Sequence, residues 1–219
     1  MKKSILLILG MLIMYQAKGQ LTFGIKGGLN ISNEVISMNK DAFSFNSYTG
    51  YNIGMVFNYS LGSISIQPGL MFSQKGSTTI ATLVTNDDES TINTTIIETL
   101  NYVELPINIV YSLKAGPIKL FLNTGPSFSY CISGYDQGGS ILGYFIMGSY
   151  SGNSSQSIKF GSNNYSRWDI GYIVGGGIQY GNVLLNAYYD LGLTNILNFA
   201  PIYIQNQVFS ISIGYMFGH

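Results

Sequence analysis

Ten residues near the end of the chain, Val208 to Phe217, divide into two unlike faces. Phe209, Ile211, Ile213, Tyr215 and Phe217 are large and apolar, whereas the Ser210, Ser212 and Gly214 between them are small and mostly polar. Successive side chains on a strand point to opposite faces, so this period of two describes a strand with one greasy and one wet side. Such a strand cannot stand alone, and it needs neighbours divided in the same way.

The chain supplies seven. Leu21, Phe23, Ile25, Leu29 and Ile31 alternate with Thr22, Gly24, Lys26, Gly28 and Asn30. The same grammar runs through 51–61, 64–75, 102–113, 118–131, 168–180 and 185–193. Gly62-Ser63, Lys114 to Pro117 and Gly181-Asn182 are tight turns, while 33–47, 76–98, 133–166 and 194–207 are polar, non-periodic and expected as long loops. Short turns on one side and long loops on the other predict an all-β fold, a single eight-stranded antiparallel up-and-down transmembrane β-barrel. The final strand must pair with the first to close the cylinder. Closure removes every sheet edge, which lipid demands because unpaired backbone groups there cost several kcal/mol each.

The two faces can be assigned from charge. Only 9% of the 219 residues are charged, against roughly 25% in soluble domains. Within the strands the charges fall on the wet face, as Lys26, Lys75, Glu104, Lys119, Asp169 and Asp190. The interior of an eight-stranded barrel is just wide enough for side chains to fill. These six are therefore expected as an interior polar cluster, with opposite charges paired because desolvated charges need partners. The uncharged apolar face then meets lipid. Phe23, Tyr59, Tyr111, Tyr180, Tyr215 and Phe217 lie toward the short-turn ends of their strands, and Tyr51, Phe72, Phe128, Tyr130, Trp168 and Phe209 toward the other. Two aromatic belts at the two membrane interfaces are what such a barrel needs. A lipocalin-like soluble carrier is the alternative eight-stranded reading, but it would need an apolar interior and a charged exterior.

The first residues read as a leader. Met1-Lys2-Lys3 is basic, Ile5 to Met14 is apolar, and Ala17-Lys18-Gly19 offers small residues for cleavage before Gln20. Residues 1–19 are thus expected as a signal peptide and 20–219 as the barrel domain. Removing Lys2, Lys3 and Lys18 from ten basic and ten acidic side chains leaves a net charge of −3, with no basic patch for nucleic acid. Cys131 is the only cysteine and His219 the only histidine, so no disulfide or cysteine-based metal cluster is expected.

Chemistry-bearing motifs are sparse. Gly175-Gly176-Gly177 sits inside a strand with no helix after it and no Gly-Lys-Ser/Thr, so close packing explains it better than phosphate binding. Asp87-Asp88-Glu89 lacks the spacing of a calcium loop and reads as a solvated charge run. Asn93-Thr94-Thr95 carries little meaning in a bacterial outer membrane. Several small outer-membrane barrel enzymes use a Ser-His or Asp-His arrangement, whereas His219 is expected at the opposite end from the outer rim. No catalytic, metal or cofactor-binding residue is expected. The alternating face from Phe209 to Phe217, with its terminal aromatic, is expected to be read by the outer-membrane assembly machinery.

Three segments resemble the PorT-like small outer-membrane barrels of Bacteroidota: Phe23-Gly24-Ile25-Lys26-Gly27-Gly28-Leu29-Asn30, Tyr102-Val103-Glu104-Leu105-Pro106-Ile107 and Gly214-Tyr215-Met216-Phe217. The resemblance implies an eight-stranded barrel in the outer membrane with both termini periplasmic and no catalytic residues. It also implies contact with outer-membrane lipid and lipopolysaccharide, and, through the family's namesake, an accessory role in secreting or assembling surface proteins.

Overall fold

A computed structural model describes residues 21–36, 43–84, 91–139, 155–199 and 202–218. The expected leader, His219 and the acidic run at 87–89 lie outside the described residues. The strands are β1 (Leu21–Ile36), β2 (Phe43–Leu61), β3 (Ile64–Val84), β4 (Thr91–Ala115), β5 (Ile118–Gln137), β6 (Gln156–Ser157), β7 (Trp168–Tyr180), β8 (Val183–Gly192) and β9 (Ile204–Phe217). Eight form an antiparallel ring in sequence order, and the two-residue β6 pairs with the long-connection end of β5. The ring closes between first and last strands, with Phe23 opposite Phe217 and Ile31 opposite Phe209. The Phe23 and Phe217 rings stack across that seam at 4.9 Å. Each short turn turns on a glycine of positive φ, at Gly62, Gly116 and Gly181, where a side chain would clash with its own backbone.

The burial pattern follows the period of two. Ser210, Ser212, Asn30, Asn52, Lys75 and Glu104 are buried, while Phe209, Ile211, Ile213, Tyr215 and Phe217 face outward with the other apolar residues of the ring. This is inside-out relative to a soluble barrel, and it removes the lipocalin-like arrangement of apolar interior and charged exterior. Two of the three consecutive glycines make room for large interior rings. A Cβ at Gly175 would stand 2.4 Å from the Cβ of Tyr188, and one at Gly177 2.7 Å from the ring of Phe121.

The strands are longer than the sequence pattern suggests. The ladder runs into the stretches expected as loops: β1 reaches Ile36, β2 starts at Phe43, β3 reaches Val84, β4 starts at Thr91 and β5 reaches Gln137, whereas the described residues 155–166 are strand only at Gln156–Ser157. The reason lies on the outward face. Beyond Ile31, Tyr51, Phe72, Val103 and Phe209, the outward residues become Asn33, Thr49, Gln74, Asn101 and Gln207, and none of these is buried. The lipid-facing band ends there. Above it the hydrogen-bonded ladder continues with a largely polar outward face, while the inward face mixes Glu34 and Glu98 with Leu100 and Ile204, so the apolar-out, polar-in alternation lapses.

Candidate functional site

Halfway along the lumen, Lys75 of β3 holds two carboxylates, one from the neighbouring strand β4 and one from β8 across the ring. Its Nζ lies 3.1 Å from Glu104 Oε2 on β4 and 3.0 Å from Asp190 Oδ2 on β8. Lys75 is 2% exposed, so each partner is needed to offset its desolvation. Ser127 of β5 donates to Asp190 Oδ1 at 2.8 Å, and Asn206 of β9 donates to Asp169 Oδ2 at 2.8 Å. Lys75 also sits over the Tyr102 ring, 5.3 Å from its centroid. A second set follows the strands round the wall: Asn30 donates to Ser73 Oγ, and Asn52 donates to Asn30 Oδ1 and Ser210 Oγ. Strands that are second neighbours in the ring, β1 with β3 and β2 with β9, are thereby tied across its inner wall.

Of the six residues expected together inside, Lys75, Glu104 and Asp190 are in direct contact. Asp169 joins them through Asn206 and Tyr102, since Asn206 also donates to the Tyr102 hydroxyl. Lys26 stands lower, its Nζ 4.9 Å from the Tyr188 ring centroid. Lys119 does not join the group. It is half-buried near the short turn that links β4 and β5.

Toward the long-connection end, the described residues around 155–167, 193–199 and 202–204 fold back into the mouth. Ile158, Tyr165, Ile196, Leu197 and Ile202 pack with Leu100, Tyr102, Cys131 and Ile204 of the wall. Asn195 latches this plug, donating to Leu197 O and Ile202 O and accepting from the backbone N–H groups of Leu197 and Ile204. Arg167 stacks over Phe160, 4.2 Å from its centroid, and donates to Cys131 O at 2.8 Å. Sequence reasoning took these stretches for loops. The signal that could have found the plug is the apolar run Ile196-Leu197 and Ile202 inside a supposed solvated loop.

Where plug meets wall, above the lipid band, Glu34, Glu98 and Asp136 are buried side by side. Tyr165 Oη donates to Glu98 Oε2, and Ser77 Oγ donates to Glu34 Oε2 at 3.0 Å. Burial first, and the neighbouring Glu34 second, raise the Glu98 carboxyl well above its usual range. Glu34 is raised too, because burial outweighs its hydrogen bonds with Glu98 and Ser77. An unfolded glutamate ionises near pH ~4.3. The folded carboxyl keeps its proton to higher pH, so plug stability is full below that value and declines as pH rises toward the folded pKa. Amide exchange at Ile158 and Ile196, corrected for intrinsic rate, is expected to quicken as pH rises above about 4.3 toward the folded pKa. Glu98→Gln is expected to flatten that profile, and a flat wild-type profile would refute the coupling.

Among the described residues, no group of three His, Cys, Asp or Glu side chains is arranged to hold a metal ion. Cys131 is a free, buried thiol facing the plug.

Comparison with known proteins follows the same geometry. The family described as "Outer membrane protein beta-barrel domain" matches residues 14–198. No curated protein matches the sequence. Among solved structures the chain is similar to Neisserial surface protein A, at 13% identity and a TM-score of 0.45, covering 89% of this chain and 97% of that one. It is similar to the N-terminal β-barrel domain of Pseudomonas aeruginosa OprF, at 9% identity and 0.33, covering 90% and 100%. The P. putida toluene transporter TodX aligns at 10% identity and 0.31, covering 94% of this chain and 60% of that one.

Proposed function

The chain belongs to the family of outer-membrane protein β-barrel domains, and on that premise we propose that it is a non-enzymatic barrel acting through its long-connection end. That end faces the outside and meets surface or secreted proteins. Residues 1–19 are its signal peptide, and the short turns with both termini lie in the periplasm. The observation that carries this reading is a lumen blocked twice, by the Lys75–Glu104–Asp190 group at mid-height and by the plug at the mouth. A barrel so filled holds a surface in place better than it passes solutes. In planar bilayers it is expected to show no stable, large conductance steps, and their appearance would overturn the filled-lumen reading. A mature protein whose measured mass does not begin at Gln20 would overturn the leader.

A more specific assignment is to the PorT-like barrels of Bacteroidota, favoured by the Phe23–Asn30 and Tyr102–Ile107 segments. It carries an accessory role in a secretion or surface-assembly system. Affinity tags placed within 133–166 should then recover secretion components, and recovery of none would count against it. The outward face from Phe209 to Phe217 borders the closing seam with β1, which suits a segment read last during assembly. Phe217→Ala is expected to slow insertion several-fold in a reconstituted assembly reaction, and unchanged kinetics would remove the terminal signal.

A further inference from the structure

Below the ion group the lumen opens into a cavity of about 630 Å³ at the short-turn end. Its lining is unevenly charged. Lys26, Lys114 and Lys119 line it, and no aspartate or glutamate does. Among the described residues every carboxylate is at the level of the ion group or nearer the plug, on Glu34, Glu98, Glu104, Asp136, Asp169 and Asp190.

Two features of this cavity leave positive charge without a direct counter-ion. Lys114 and Lys119 are directly opposite one another in the β4–β5 ladder, and like charges so placed destabilise a sheet. Lys26 is buried, and among the described residues it makes no hydrogen bond or salt bridge; it stands over the Tyr188 ring and feels the Glu104 carboxylate of the ion group from a distance. One wall is different in kind: Val56, Leu184 and Met216 pack together there, with Phe121 against them.

We propose that this cavity is a cup for a small organic anion, with a carboxylate or phosphate group between the lysines and an apolar body against Phe121, Leu184 and Met216. Lys114 and Lys119 at the mouth draw the anion in, Lys26 meets it from within, and Asn58, Gln67 and Asn186 supply hydrogen bonds. The ion group closes the far side, so the ligand is held rather than passed through. The inference rests on reading the chain as a membrane barrel whose short turns face the periplasm, which would supply the anion in solution.

The test uses the full-length mature protein folded in detergent, with phenyl phosphate as probe and binding read by NMR of labelled lysine side chains. Saturable shifts of the lysine signals are expected, with a Kd of about 1 mM or tighter. Lys114→Gln with Lys119→Gln leaves the wall and the ion group intact and is expected to weaken binding roughly tenfold. Lys26→Met is expected to do the same where it folds. Inorganic phosphate is expected to bind more weakly than phenyl phosphate, and equal affinity would remove the apolar half of the proposal. Absence of saturation at about 10 mM, or binding indifferent to the paired lysine changes, would overturn it. Solubility without detergent would instead defeat the membrane reading, so the two failures are distinguishable.

Discussion

Lys75→Met is expected to destabilise the barrel by about 3–5 kcal/mol, the range seen when one partner of a buried ion pair is removed. The ammonium is the shared partner of Glu104 and Asp190, at 3.1 and 3.0 Å. Without it, the two carboxylates of β4 and β8 are left desolvated and mutually repelling. Each must then take up a proton or draw in water, and both responses loosen the centre of the ring. Adding Glu104→Gln and Asp190→Asn removes the stranded charges and is expected to restore most of the loss. The measurement is reversible urea unfolding of the barrel in lipid, followed by fluorescence. Trp168 is the only tryptophan and faces outward, 63% exposed, so it reports directly on leaving the membrane. A loss below about 1 kcal/mol, or no recovery in the triple variant, would show that the group contributes little to holding the wall.

Met55→Arg tests the other face. Met55 is 46% exposed on β2, midway between Tyr51 and Tyr59, where the lipid band should be deepest. An arginine at the midplane of such a barrel costs about 2–4 kcal/mol, falling to about 0–1 near an interface. Leu61→Arg, at the short-turn end of the same strand, is therefore the matched control and should cost little. The depth dependence matters more than either value. Equal, small costs at both positions would mean that the exposed apolar face does not meet hydrocarbon. Both predictions use the same unfolding assay, so they compare the strength of the wet interior with that of the greasy exterior in one system.

Much of this architecture is legible in the chain because one physical rule governs it. Where lipid lies on one side of a wall and a filled lumen on the other, every second residue must be apolar. Phe209 to Phe217 states that rule most clearly, and Leu21 to Ile31 repeats it on the strand that seals the ring. The rule lapses where lipid ends. At Asn33, Thr49, Gln74 and Asn101 the outward face is already polar, so the sequence shows no alternation although the ladder runs on. That is why the extensions of β3 and β4 looked like loops, despite threonines and isoleucines that suit a strand.

The interior is harder to read for a different reason. Which charges belong inside follows from their face, but which of them meet depends on stagger and tilt around a closed cylinder. Lys75 and Asp190 are 115 residues apart in sequence, and nothing local to either names the other. Lys119 shares their face yet lies at the short-turn end, with Lys114 rather than a carboxylate opposite it. The plug is equally non-local. Ile158, Tyr165 and Ile196 become a core only when two distant connections fold over the same mouth.

The sequence by itself determined the fold class, the number of spanning strands, the sense of the two faces and the seam between first and last strands, because period-two alternation translates directly into burial. The tertiary structure decided where the lipid band stops, which lumen charges are paired, that the mouth is stoppered, and that three lysines are left around a cavity without a carboxylate. Those outcomes come from bringing distant residues round a ring, and one-dimensional periodicity carries no information about contacts across it.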